Sequence, residues 1–256
     1  MSDDQKISRL RYYNYLMGGL HLVQGIILIL LTNSFKLPIN TSYLKFDVVT
    51  STLNAVTYNL YHVQFGYWVA AFFFLSSLFH FAIATFYNKT YSSNLKKGIN
   101  KARWYEYSLS ASLMMVLIAM LSGIYDLSSI VMIFGLTAVM NLCGLVMEVS
   151  NQGKDKVDWT SYWIGCLAGF LPWVAVIIYF WGASTETTNA VPSFVYWIYV
   201  TIFIFFFSFA VNMYLQYKKM GPWKDYLFGE KVYIILSLVA KSALAWQIFA
   251  GTLRPN

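Results

Sequence analysis

Residues 237–246 read SLVAKSALAW, and they sit in an apolar run that extends from Tyr233 to Ala250. Lys241 lies about ten residues from either end of that run, too far in to snorkel to a membrane surface. A charged lysine at the centre of a transmembrane helix costs about 2.5–3.5 kcal/mol on insertion scales. Such a lysine must be paired with an anion or used in chemistry. Two readings therefore stand side by side: an ion pair kept for packing, or a reactive amine that condenses with an aldehyde.

The surrounding chain makes lipid the expected solvent. Its 256 residues are 58% hydrophobic and 19% aromatic, with only 11% charged, whereas soluble domains carry about 25% charged residues. Mean hydropathy is +0.54. Runs of roughly 20 apolar residues cross a bilayer as helices, because every backbone polar group must be paired inside the segment. Seven such runs are expected, at about residues 10–33, 64–87, 98–123, 127–149, 160–183, 193–217 and 229–252. The expected fold is thus an all-α membrane protein, a single seven-helix bundle over residues 1–256. The N-terminal MSDDQKISRLRYYNYL is polar and of mixed charge, unlike a cleaved signal peptide, so the first run is expected to be a retained anchor.

The connections are short except for 34–62, after the first helix. There Leu44, Phe46 and Val48 alternate with Lys45 and Asp47, a strand pattern that would pair as a hairpin outside the membrane. Such a ribbon would either hold two copies together or cap the bundle. Cys143 and Cys166 lie inside apolar runs at no metal-binding spacing and read as small packing residues. No metal site, nucleophile pair or selectivity ring is recognisable, and an enzyme is not expected.

Fourteen of the eighteen lysines and arginines fall on the N-terminal side of the predicted spans, among them Lys6, Arg9, Arg11, Lys96, Lys97, Arg103, Lys154, Lys156 and Lys231. Lys36, Lys45 and Arg254 fall on the other side. This bias predicts a cytoplasmic N-terminus and an extracellular C-terminus and loop 34–62. It also accounts for the net charge of +7 through anionic lipid headgroups, with no nucleic acid needed.

Few carboxylates could answer Lys241. Most acidic residues fall in tails or connections, and Glu148 and Glu230 fall at helix ends near the basic side. Glu106 remains. If its helix starts near Asn94, Glu106 lies about 18 Å along it and reaches the interior; otherwise it is an interfacial glutamate paired with Arg103 or Lys101. His21 and His80 lie inside the first and second spans, where a histidine either bonds between helices or lines a wet cavity. Ser237, four residues before Lys241, shares its face.

RWYEYSLSASLMMVLIAMLSGI (103–124) and SLVAKSALAWQIFAGTL (237–253) resemble the signature segments of the heliorhodopsins, and GGLHLVQG (18–25) and LFHFA (78–82) match that family too. The resemblance covers essentially the whole chain. Its members have an inverted topology, in agreement with the cytoplasmic N-terminus read from charge. The resemblance implies all-trans retinal held as a protonated Schiff base on Lys241, with Glu106 as counterion. It places Ser237 beside that linkage and His21 and His80 in a proton-accepting polar network. It makes Tyr107, Asn141, Phe206 and Trp246 pocket residues. It further implies a slow photocycle in a homodimer without ion transport, hence a light sensor acting on an unidentified signalling partner. The position four residues before the lysine, where pumping rhodopsins usually have a carboxylate, is Ser237. A light-driven proton or ion transporter is the alternative.

Overall fold

A computed structural model describes residues 1–186 and 193–253; Arg254 and the connection 187–192 lie outside them. Eight α-helices and one hairpin follow in the order α1 (Asp3–Leu31), β1 (Lys36–Asp47), β2 (Thr52–Gln64), α2 (Phe65–Ala84), α3 (Asn88–Leu95), α4 (Lys101–Leu121), α5 (Leu127–Ser150), α6 (Thr160–Glu186), α7 (Ser193–Tyr217) and α8 (Tyr226–Ile248). A 3₁₀ turn at Gly221–Lys224 precedes α8, and a π turn at Phe249–Leu253 ends it. Among the described residues seven helices, all but α3, are long and apolar enough to cross a bilayer. The seven spans fall at the positions expected, with two differences at their ends.

The first helix starts at Asp3, not near residue 10. Ser2 and Gln5 form a reciprocal capping box, and Asp3 and Asp4 occupy the first turn, where acidic groups face the positive end of the helix dipole. The polar start of the chain is therefore helical, and α1 projects beyond the apolar zone. The third span starts at Lys101, three residues inside the expected 98–123, and does not reach back to Asn94, because the separate short helix α3 takes up residues 88–95. Gly98, with φ of 71°, adopts the left-handed conformation that lets the chain turn between α3 and α4. The Asn100 side chain then caps α4 by accepting from the Arg103 N–H at 3.1 Å.

The strand pattern after α1 forms an antiparallel two-stranded ribbon, with a register shift between Ile39 and Asn40. Its base is anchored to the bundle: Leu37 and Val63 are buried, and the Asn40 N–H donates to Tyr125 O at 2.8 Å. Its outer half is bare. Leu44, Phe46 and Leu53 are exposed, as are Val48 and Val49 at the tip. The tip carboxylate of Asp47 accepts from the backbone N–H groups of Thr50 and Val49, which hold it below the ordinary aspartate range.

α1 packs on α2 and α8, α4 lies between α2 and α5, α5 packs on α6, and α7 leans on α8. The largest core cluster gathers Phe65, Phe72, Phe73, Met115, Trp173 and Leu244 from α2, α4, α6 and α8. Gly144 of α5 sets one close approach, since a Cβ there would overlap the indole of Trp104. That contact brings the Trp104 Nε1 within 2.7 Å of Glu148 Oε2, one helical turn further along α5.

Candidate functional site

Lys241 is held in the middle of α8 and is 3% exposed. Its Nζ donates to Glu106 Oε1 at 2.7 Å, Ser76 Oγ at 2.6 Å and Ser237 Oγ at 3.0 Å. An ammonium has three N–H donors, and each finds one acceptor. Glu106 is 4% exposed and also accepts from Ser76 Oγ at 2.6 Å. Burial of either charge alone would be costly; together, with serines filling the remaining bonds, they compensate. The face of the Tyr107 ring lies 5.4 Å from Nζ.

Glu106 reaches this position from only five residues into α4, about 8 Å along the helix, not the roughly 18 Å that a start near Asn94 would give. It lies inside the protein because the end of the bundle above it is closed by a second buried charge cluster. Arg103 pairs with Glu230 and Glu148 at once, so it is not the partner of Glu106. Asn100 donates to both carboxylates, through its N–H to Glu148 at 2.9 Å and its Nδ2 to Glu230 at 2.8 Å. Tyr226 Oη donates to Glu148 at 3.2 Å. The guanidinium lies 3.9 Å from the Tyr233 ring centroid and 4.5 Å from that of Trp104, an arrangement that adds cation–π attraction. Glu148 and Glu230, read from sequence as helix-end residues near the surface, are fully enclosed.

Between the two charge clusters lies a chamber of about 340 Å³, its mouth included, into which Asn14, His80, Tyr91, Asn100, Glu106 and Glu230 bring polar groups among apolar neighbours such as Phe79 and Ile83. His80 Nδ1 lies 2.7 Å from Asn14 Oδ1, and Asn14 Nδ2 donates to Leu10 O at 2.8 Å. With its amide nitrogen committed, Asn14 accepts through Oδ1, so His80 carries its proton on Nδ1 and leaves Nε2 as an acceptor. His21 stacks on His80 with ring centroids 5.4 Å apart. Both ring nitrogens of His21 are buried without a partner among the described residues.

On the other side of Lys241 an elongated pocket of about 560 Å³, its mouth included, runs between α4, α5, α7 and α8. On α4 it extends from Tyr107 to Ile118, about 16 Å of helix. Phe205, Phe206 and Phe209 wall it on α7, and Met114 and Met140 face it from α4 and α5. Polar groups sit at the lysine end: Lys241, Ser237, Ser110 and Asn141. A slot with one amine at its end and aromatic rings along its length fits a long conjugated aldehyde.

The sequence profile of the heliorhodopsins matches residues 10–253. The chain belongs to the heliorhodopsin family. Heliorhodopsins are rhodopsins, and retinal is the chromophore the family implies. Among solved structures, the light-driven proton pump LR (Mac) from Leptosphaeria maculans is similar in fold. Its TM-score is 0.61 at 14% identity, over 94% of this chain and 95% of that one. No curated protein matches the chain.

In this heliorhodopsin, Lys241, Glu106 and Ser237 come together, His21 and His80 stack beside one another, and Tyr107, Asn141 and Phe206 line the pocket. Trp246 does not. Its Nε1 donates to Gln24 Oε1 of α1 at 3.0 Å and its ring packs on Phe249. Five residues from Lys241, it is turned about 140° around α8. Two residues that touch this constellation went unassigned in the sequence. Ser76 touches both charges, and Asn14 orients His80. Ser76 was visible only as one of several serines in apolar helices.

Proposed function

We infer that this heliorhodopsin is a light sensor in which retinal is joined to Lys241 Nζ as a protonated Schiff base, with Glu106 as counterion. The observation that carries this reading is the 2.7 Å contact between Nζ and Glu106 Oε1 at the end of the aromatic slot. Retinal bound there supplies absorption of visible light and the all-trans to 13-cis isomerisation. The protein supplies the electrostatics. Glu106 offsets a positive charge at Nζ, Ser76 and Ser237 fix the direction of its N–H, and His80 Nε2 offers a base on the chamber side. The charge bias puts the N-terminal face in the cytoplasm, so the chamber lies in the cytoplasmic half and is closed from that face by the Arg103 cluster.

The distribution of carboxylates favours sensing over pumping. Among the described residues the buried carboxylates are Glu106, Glu148 and Glu230. The outer half of the bundle offers neutral pairs, such as Ser122 with Tyr199 and Gln247 with Thr201. A proton moving from the centre meets the Arg103 cluster on one side and, among the described residues, no buried carboxylate on the other. Illuminated cells in unbuffered medium are expected to show no pH change that a protonophore abolishes; such a change would replace the sensor with a transporter.

Glu106→Gln is expected to shift the visible absorption band to the red. The anion stabilises positive charge at the nitrogen end of the chromophore in the ground state, and excitation moves that charge away. Removing the anion narrows the gap. An unchanged spectrum at neutral pH would show that another group is the counterion.

A further inference from the structure

Where α1 and α8 begin side by side, Lys6, Arg9 and Lys231 converge on an open cavity of about 530 Å³, floored by Leu10, Leu227 and Phe228. Lys6 is bound to Asp225 at 2.9 Å and to Asp3 at 3.3 Å, and Asp225 also lines the cavity. The other two cations form no ion pair among the described residues. Arg9 is exposed and has no ion pair among the described residues. Lys231 lies over the ring of Tyr13 at 5.4 Å, which holds its amine at the rim.

The depth of the cavity is set by the tyrosines of α1. Tyr12 and Tyr15 are exposed, at the level where aromatic side chains mark the membrane interface. Lys6 and Arg9 lie about 5–9 Å further out along the helix, where the phosphates of a lipid leaflet lie. A site with two uncommitted cations above an apolar floor takes an anion that carries hydrocarbon below it. We propose that this cavity binds the phosphate headgroup of one anionic phospholipid. Arg9 and Lys231 contact the phosphate, and Leu10 and Phe228 meet the start of the acyl chains. Lys6 is already neutralised by Asp225, and its role is to keep the two helix ends together. The proposal is independent of retinal and of light.

Native mass spectrometry of the full chain, released from detergent containing phosphatidylglycerol or phosphatidylcholine of the same chain length, tests it. One phosphatidylglycerol is expected to stay bound under activation that strips phosphatidylcholine. Arg9→Gln/Lys231→Gln is expected to weaken that retention about tenfold or more. Lys154→Gln/Lys156→Gln, which removes two exposed cations elsewhere on the same face, is expected to leave it unchanged. Equal retention of the two lipids would overturn the proposal, as would a wild-type response from the first variant or an equal loss from the second. Displacement of the lipid by equimolar glycerol 1-phosphate would assign the site to free phosphate and overturn the lipid assignment. All four variant positions are at the surface or rim, and a circular-dichroism spectrum matching the parent separates lost binding from lost fold.

Discussion

Lys241→Ala protein, expressed with retinal supplied, is expected to purify without the visible band, a complete loss of pigment. The amine is the only lysine nitrogen lining the pocket, and no other nucleophile there can form the linkage. Loss of colour alone would not separate lost chemistry from lost folding, because Lys241→Ala also leaves Glu106 as a buried anion with no cation. Removing one partner of a buried pair costs about 3–5 kcal/mol. Two further variants separate the effects. Lys241→Arg keeps a cation opposite Glu106 but cannot condense with an aldehyde, so it is expected to fold and remain colourless. Lys241→Ala/Glu106→Gln removes both charges and is expected to recover thermal stability relative to Lys241→Ala, again without colour. A Lys241→Ala protein with a visible band and no covalently bound retinal would end the assignment of the attachment site.

The lysine was legible in the sequence because it has no competitor: one charge in the middle of an apolar run needs an explanation wherever it occurs. Ser237 followed from helical spacing alone. Glu106 emerges by elimination, but what buries it is not a helix start near Asn94. A single sequence shows neither that α3 is a separate helix nor that Arg103, Glu148 and Glu230 come together from three helices to close the space above Glu106. Charges near the ends of apolar runs look interfacial until the bundle is assembled, because burial there depends on neighbours and not on position along the helix. Ser76 was hidden for a different reason. Serines in membrane helices commonly bond back to the carbonyl four residues earlier, a bond within reach of Ser76, whose Oγ lies 2.9 Å from Phe72 O, and only the placement of α2 against α4 and α8 brings the two charged groups to it. Trp246, a pocket residue by the resemblance, falls outside the pocket lining because five residues from Lys241 turn it about 140° around α8. The hairpin, by contrast, announced itself through simple alternation, because a strand pattern between two apolar runs has few other ways to satisfy its backbone.

The second large effect belongs to Arg103. This one cation holds two buried carboxylates, and side-chain exposure is 4% for Arg103, 1% for Glu148 and 0% for Glu230. Arg103→Met would leave both anions without a cation in a site closed to water. A loss of about 3–5 kcal/mol is expected, read as a large fall in the temperature at which the purified protein aggregates or loses its pigment. The asymmetry of buried ion pairs gives the control. Arg103→Met/Glu148→Gln/Glu230→Gln removes all three charges and keeps amides that can bond to Asn100, Trp104 and Tyr226, so most of the stability should return. Arg103→Lys should fall between the two, because an ammonium keeps the charge but not the planar fork that reaches both carboxylates. The same cluster closes the N-terminal end of the chamber that holds His80 and Glu106, so its loss should also open the path from that chamber to the N-terminal face. In the triple variant, with stability restored and the charges gone, exchange of the proton at the Lys241 site with buffer should be faster than in the parent. Faster hydrogen–deuterium exchange of that proton, followed by vibrational spectroscopy of the dark pigment, would show that the arginine cluster isolates the photoactive centre. If Arg103→Met were as stable as the parent, the cluster would have to be solvated and could not be the barrier.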